Sequence, residues 1–387
     1  MERNEKKLKV AVLGLRGIPD VQGGIEKHCE ELYPRLIKYN FDITLFARKG
    51  YVNNNNYEYK GVKVIPLWAP RRKNIETICH TALGILWLSR YRKDFDFLHI
   101  HAIGPSLFAK VARKLGFCLV ITNHGPEYKR KKWGWMAKSI LKIGERLGAR
   151  HAHKIIAVSK NIKKNLFEQY NLVAEYIPNG VNIKKSERSV SNLSKFNLKP
   201  KRYFLAVGRI VPEKGFHDLL KAFKRLDTDW KLVIVGSADH KDRYSDKLIR
   251  ESSKINGAVM TGFQKGEALN ELYSNAGLFI LPSYHEGLPI VALEAMSYNL
   301  AMLTSNLPAN AEVALPEEMF PVGNVEILSK MMNKHIKNPS SLTSPQILTK
   351  KMERLTKEFN WDIIAKQTAK LYREAVAMYK KEESYIN

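Results

Sequence analysis

Short apolar runs bounded by glycine, proline and polar residues recur along this chain, and stretches of helical periodicity separate most of them. The strand-like runs fall at residues 8–15, 41–47, 62–66, 97–101, 119–122 and 154–158, and again at 203–207, 231–235, 258–261, 278–281 and 301–304. Continuous rather than alternating apolar runs mark strands buried on both faces, and their alternation with helices gives a parallel sheet covered on both sides. Two such sets, separated by a polar and aperiodic stretch, predict two doubly wound α/β domains facing a central cleft. A chain of 387 residues is too long for one typical domain, and an apolar share of 44% can fill two cores. The expected boundaries are 1–185 for the first domain, 186–200 for a linker and 201–358 for the second domain. A final helix at 359–387 is expected to pack back on the first domain. Ser159 is placed to cap the helix that follows the sixth run.

Residues 281–296 read Leu-Pro-Ser-Tyr-His-Glu-Gly-Leu-Pro-Ile-Val-Ala-Leu-Glu-Ala-Met. The preceding strand ends at Pro282, and Pro289 suits the first position of a helix, where its missing N–H is not needed. Glu286 therefore sits in a strand-to-helix loop, and Glu294 about five residues into the helix, near the end of its second turn. Between them the backbone N–H groups of Gly287 and Leu288 lead into a helix N-terminus, which favours an anion. Earlier, Gly208-Arg209 follows a strand and Glu213-Lys214-Gly215 opens a helix. Arg209 offers a two-pronged donor and Lys214 a compact charge, a combination that meets a diphosphate. Ligands of open α/β sheets bind at the carboxyl edge of the strands, where these residues cluster. Two hydroxyl-binding carboxylates around an anion site suit a nucleotide sugar.

In the first half, Gly23 and Gly24 sit at a helix entry, where bare backbone lets an anion or sugar approach. Neither G-x-G-x-x-G nor a Walker A sequence is present, which gives no support to a dinucleotide or ATP site. His124 follows a strand in Thr-Asn-His-Gly-Pro-Glu and is expected to point into the cleft, with Glu127 three residues on. His99 and His101 share one face of a strand and read as packing or supporting groups rather than metal ligands. Asp94-Phe95-Asp96 and Asp227-Thr228-Asp229 lie at ordinary element boundaries, and His285-Glu286 lacks the second histidine of a zinc helix. No metal and no cofactor is expected.

Charge is unevenly spread. Residues 1–185 hold 35 Lys+Arg against 15 Asp+Glu, so +20 of the net +26 lies there. Such a half seeks an anionic partner: a membrane surface, an acidic lipid or nucleic acid. Lys129, Arg130, Lys131 and Lys132 precede Trp133, Trp135, Met136 and Ile140, and cations beside tryptophans and an apolar face suit an interfacial helix. The segment 71–93 has the same character but reads equally well as a core helix with solvated ends. The longest apolar stretch, 82–88, is far below the roughly 20 residues that span a bilayer. No secretory signal is evident, and Cys29, Cys79 and Cys118 form no C-x-x-C pair. A cytoplasmic location, peripheral on a membrane, follows as the expectation.

Taken together, Glu286-x7-Glu294, Gly208-Arg209 with Glu213-Lys214-Gly215, Ile177-Pro178-Asn179-Gly180-Val181 and Thr261-Gly262-Phe263 resemble the retaining glycosyltransferases of family four. These have the GT-B fold of two Rossmann-like domains. The opening Gly-Leu-Arg-Gly-Ile-Pro-Asp and Gly-Gly-Ile-Glu are similar to a bacterial subgroup that builds surface polysaccharides. The resemblance implies that Glu294 binds ribose hydroxyls and that Glu286 holds donor-sugar hydroxyls. It implies that Arg209 and Lys214 stabilise the departing diphosphate. Gly23 and Gly24 would lie against donor phosphate or acceptor, His124 beside the donor sugar, and Gly262 and Phe263 near the base. Asp20 and Glu127 remain as acceptor contacts, since a donor phosphate oxygen is thought to take the acceptor's proton in such enzymes.

The resulting expectation is a hexosyltransferase using a nucleotide-sugar donor and a glycan or lipid-linked glycan acceptor. A sugar-nucleotide epimerase or glycan phosphorylase of the same architecture is the alternative among enzymes. A basic nucleic-acid-binding protein would leave both carboxylates without a purpose, so no nucleic-acid partner is expected.

Overall fold

The structure, a computed structural model, describes residues 7–70, 75–129, 134–183, 189–239 and 242–386. The chain divides into two compact units: Met1–Asn179 with Trp361–Asn387, and Gly180–Asn360.

The first unit is built on a sheet of order β3-β4-β2-β1-β5-β6-β7-β8. Its strands are β1 (Leu8–Leu13), β2 (Phe41–Arg48), β3 (Tyr57–Tyr59), β4 (Val62–Leu67), β5 (Phe97–His101), β6 (Cys118–Asn123), β7 (Lys154–Ala157) and β8 (Glu175–Tyr176). All pair in parallel except β3, which runs antiparallel to β4. Every residue of β5 and β6 is buried, as continuous apolar runs require when helices cover both faces. Val10, Val12, Phe41 and Phe97 fill one face, and Ala11, Leu13, Phe46, Leu98 and Ile100 the other. The helix Trp361–Ile386 belongs to this unit and places Trp361, Ile364, Ala365 and Tyr372 in the first of those faces. The Tyr372 ring meets Phe97 edge-on at 4.7 Å between centroids. Ser159 caps the helix Lys160–Tyr170 by accepting the Ile162 N–H at 3.2 Å.

The second unit has an all-parallel sheet of order β11-β10-β9-β12-β13-β14. Its strands are β9 (Tyr203–Val207), β10 (Lys231–Val235), β11 (Ala258–Gly262), β12 (Leu278–Leu281), β13 (Met302–Ser305) and β14 (Met319–Phe320). The helix after β12 is Ile290–Ser297, one residue later than Pro289 alone suggests, because Pro289 keeps an extended ψ of 103° and serves as the cap.

Each sheet reverses its strand order once. The chain leaves β1 toward β2 and later crosses back to β5 on the other side; it leaves β9 toward β10 and later crosses to β12. Loops that follow the strands on either side of such a reversal diverge and leave a crevice at the carboxyl edge. The motif loops after β9 and β12 flank the reversal in the second sheet. The glycine loop after β1 borders the reversal in the first.

The stretch 186–200 is not a free linker. Residues 184–188 lie outside the described residues, but Ser191–Lys195 is helical, and Leu193 and Leu198 are buried. Glu271 grips the start of that helix: Oε1 accepts the Asn192 and Leu193 N–H groups at 2.7 and 3.0 Å, and Oε2 accepts Asn192 Nδ2 at 3.0 Å. The polar sequence hid this because its anchor lies some 80 positions further on. Burial alone would raise the Glu271 carboxyl, but hydrogen bonds from Asn192, Leu193 and Ser189 outweigh it and hold the group below its ordinary value. Glu271→Ala should therefore destabilise the second unit by roughly 3 kcal/mol at neutral pH in chemical denaturation. A carboxyl with a lowered folded pKa stabilises above its unfolded pKa, and the gain disappears as pH falls through the folded value. The gap between wild type and variant should close in that acid window.

Candidate functional site

In the second unit the loops after β9 and β12 meet at Gly215. This residue has a φ of 68°, and a Cβ placed on it would stand 2.0 Å from the Pro282 carbonyl oxygen. Only glycine allows that approach. It brings Lys214 onto Glu286, with Nζ donating to Oε1 at 2.6 Å, although 72 positions separate them. Ser283 Oγ donates to the same carboxylate oxygen at 2.6 Å. The side chains are 16% and 10% exposed for Lys214 and Glu286, so this is a largely dehydrated ion pair. Burial pushes the Glu286 carboxyl up, yet the Lys214 ammonium and the Ser283 hydroxyl outweigh it and leave it lowered. Glu286 is thus an anion with hydrogen-bond acceptor capacity to spare.

Arg209, immediately beyond β9, donates Nη1 to Asp239 Oδ2 at 2.9 Å, with both side chains about one-fifth exposed. Glu294 is half-buried and accepts the Tyr273 hydroxyl at 3.0 Å. Tyr273 lies parallel to Tyr298 with 5.4 Å between ring centroids, and burial, then the Glu294 charge, keep its phenol protonated. Gly287 is half-buried and Leu288 buried, both just before the helix Ile290–Ser297. Gly262, with a φ of 72°, and Phe263, 41% exposed, lie at the carboxyl end of the edge strand β11. Two strand spacings, about 10 Å, separate that strand from β9.

In the first unit, Gly23 stands against a buried ion pair. A Cβ there would lie 2.0 Å from Glu26 Oε2 and 2.5 Å from Arg16 Nη2. Arg16 and Glu26 are buried and joined by two side-chain bonds, Nε to Oε1 at 3.0 Å and Nη2 to Oε2 at 3.1 Å. Gly23 therefore makes room for this ion pair, while Gly24 opens the helix Gly24–Leu36 with clear space around it. Asp20 is exposed with a φ of 63°. His124 is half-buried, and its Nε2 lies 2.9 Å from His101 Nδ1. Glu127 begins a short turn just beyond. His99 supports the sheet edge, bonding Thr122 Oγ1 at 2.8 Å and the Tyr372 hydroxyl at 2.6 Å. Arg130, Lys131, Lys132 and Trp133 lie outside the described residues, as does the Lys129 side chain.

The second-unit residues named from sequence thus gather at one carboxyl edge, with Gly262 and Phe263 at its margin. Sequence reading missed Ser283, Asp239, Tyr273 and the Arg16–Glu26 pair. Ser283 stood three positions from Glu286 and could have been found by its spacing; Asp239 and Tyr273 carried no local signal.

Two largely parallel sheets with cations and carboxylates at their reversal points, together with similarity to known proteins, define a nucleotide-sugar-dependent glycosyltransferase of GT-B architecture. A family model described as "Glycosyltransferase Family 4" matches residues 22–185, and one described as "Glycosyl transferases group 1" matches residues 191–358. The uncharacterized glycosyltransferase MJ1607 of Methanocaldococcus jannaschii is 24% identical over 96% of this chain and 99% of its own length. The putative teichuronic acid biosynthesis glycosyltransferase TuaC of Bacillus subtilis is 26% identical over 65% of each chain. Anabaena Alr3699/HepE, solved in complex with UDP-glucose, superposes with a TM-score of 0.77 at 17% identity, covering 95% of this chain and all of that one. The chain belongs to the family 4 glycosyltransferases.

Replacing Lys214 by Met removes the charge that neutralises Glu286 and should cost roughly 3 kcal/mol at neutral pH. Without its partner the buried carboxyl titrates higher, and protonation then relieves the strain of a dehydrated charge. Denaturation across the pH range should therefore show the Lys214→Met deficit shrinking as pH falls.

Proposed function

We propose that this enzyme is a retaining hexosyltransferase that moves a sugar from a nucleotide donor to a lipid-linked or growing glycan during bacterial surface-polysaccharide synthesis. The observation that carries the reading is the Lys214–Glu286–Ser283 knot at the β9/β12 reversal, with Arg209 on the adjoining loop. A diphosphate entering there is met by Arg209 and Lys214, whose charge grows in value as the leaving group departs. These two cations supply the charge compensation, so the reading calls for no metal ion. Glu286, held as an anion, accepts hydrogen bonds from sugar hydroxyls. Glu294, steadied by Tyr273, accepts those of the ribose. Phe263, about 10 Å along the sheet edge, offers a face for the base. Gly23 and Gly24 are assigned to the donor phosphate or acceptor, His124 to the donor sugar, and Asp20 and Glu127 to the acceptor. A donor phosphate oxygen takes the acceptor proton, which accounts for retention without a protein base.

The membrane assignment rests on the helix Trp135–His151. Its outer face exposes Trp135 at 78%, Met136 at 62%, Ile140 at 41% and Ile143 at 51%, beside exposed Lys142, Arg146 and Arg150. Apolar residues at helical spacing among cations match an interfacial helix on anionic lipid. The helix Glu76–Arg90 is mixed: it buries Ile85 and Leu88 and sets Trp87 on Phe46 at 5.0 Å, and it exposes Ile78 at 36% and Leu86 at 50%. Among the described residues no helix is long and apolar enough to cross a membrane. TuaC, named for teichuronic acid biosynthesis, supports the pathway.

With the donor found by thermal-shift screening of UDP, GDP, dTDP and ADP sugars, Glu286→Gln and Arg209→Ala should each lower turnover about 100-fold or more with the fold intact. Wild-type rates in either variant would overturn the site. Products formed from donor alone, or from phosphate and glycan, would instead reveal an epimerase or a phosphorylase. Flotation with anionic vesicles should weaken as salt rises, because screening shortens electrostatic reach. Salt-independent flotation would remove the electrostatic part of the membrane reading.

A further inference from the structure

We propose that His28, His101 and His124 form a binding site for a divalent transition-metal ion in the first unit. His28 lies one turn into the helix Gly24–Leu36, His101 ends β5, and His124 follows the neighbouring strand β6. Distant stretches of chain thus deliver three imidazoles to the carboxyl edge beside the β1/β5 reversal. One nitrogen from each ring lies within 4.8 Å of the others, the only such group among the described residues. Ring centroids stand 5.5 Å apart for His28 and His101, 5.1 Å for His28 and His124, and 5.2 Å for His101 and His124. Around a tetrahedral zinc with Zn–N near 2.0–2.1 Å, nitrogens are about 3.3 Å apart and ring centres about 5 Å apart. The rings already stand at that spacing, and His101 Nδ1 to His124 Nε2 measures 2.9 Å.

The second observation is an orphaned atom. His28 is 2% exposed, and its Nε2 is buried with no hydrogen-bond partner. Its Nδ1 lies 2.9 Å from Asn179 Oδ1, so the amide oxygen accepts the Nδ1 proton and Nε2 keeps a bare lone pair. Metal-binding histidines are commonly held in this way, the far nitrogen tied to an oxygen acceptor. His101 has the same arrangement, its Nε2 lying 2.5 Å from the Tyr33 hydroxyl. A hydrogen bond between His101 Nδ1 and His124 Nε2 pairs those two nitrogens but leaves His28 Nε2 unexplained; an ion engages all three. Burial lowers the His28 imidazole to about 4, and burial with the neighbouring rings lowers His101 and His124 well below the ordinary value. All three are therefore neutral near pH 7, the form that binds metal. Imidazole donors select zinc, copper, nickel or cobalt over magnesium or calcium, and three protein ligands leave one tetrahedral position for water or another small ligand.

The test uses the full chain, stripped with chelator and titrated with Zn2+ by calorimetry and with Co2+ by visible absorption. One equivalent per chain should bind, Co2+ should give the intense bands of tetrahedral nitrogen ligation, and the melting temperature should rise by roughly 5 °C or more at a hundredfold excess over Kd. His28→Ala and His101→Ala should each abolish the saturable uptake. His28→Gln, which keeps the bulk of the side chain, should lose Co2+ absorption while still melting cooperatively. Absence of saturable binding, equal binding by the variants, or binding of Mg2+ with equal affinity would overturn the site. The binding arms stand apart from the transferase reading. That reading enters only through a further arm: zinc holding His124 should inhibit turnover, and chelator should restore it. Binding without inhibition would keep the metal site and count against His124 beside the donor sugar.

Discussion

A parallel sheet can reverse its direction of growth only by carrying the chain across a face, and the loops on either side of the reversal must then part. In each unit that parting falls beside the first strand, and nearly every polar group of interest gathers there. The loops so exposed carry backbone groups with no ladder to join, and each sheet fixes its loop with a largely dehydrated ion pair. Arg16 and Glu26 hold the loop after β1; Lys214 and Glu286 join the loops after β9 and β12. Breaking either pair would leave a charge stranded in a dehydrated place, so the loop positions are strongly determined.

The two pairs differ in what they leave available. Arg16 and Glu26 satisfy each other through two parallel bonds, and Arg16 Nη2 also bonds the Gln22 carbonyl, so that pair serves architecture. Lys214 meets Glu286 through a single oxygen, which Ser283 also contacts. A carboxylate has about four lone-pair sites, so hydrogen-bonding capacity remains for a ligand. Such partial satisfaction, in a place shaped by a glycine that no other residue can replace, is what a binding site requires and a structural bridge does not.

Strand positions were largely legible from sequence because burial on both faces demands unbroken apolar runs. Tyr203–Val207, Lys231–Val235, Leu278–Leu281 and Phe97–His101 begin and end where those runs do. The short strands Tyr57–Tyr59, Glu175–Tyr176 and Met319–Phe320 gave no such signal, since two or three residues cannot establish a pattern. The polar segment around residue 190 looked detached for a related reason: its attachment is a ring of hydrogen bonds to one glutamate, which composition cannot reveal. Within the candidate site, Glu286 and Glu294 were legible because both fall in one strand-loop-helix passage.

The amino-acid sequence by itself determined the two sheets, the helix starts and the residue types that can meet a nucleotide sugar, because hydrophobic periodicity and backbone preferences act over a few neighbouring residues. Only the tertiary structure decided that Lys214 rests on Glu286, that Tyr273 steadies Glu294, that Gly23 makes room for an ion pair, and that His28, His101 and His124 converge. Except for the Gly23 loop, these pairings span tens of residues, and strand order brings them together. Strand order depends on how whole layers pack, a property that no local stretch of sequence contains.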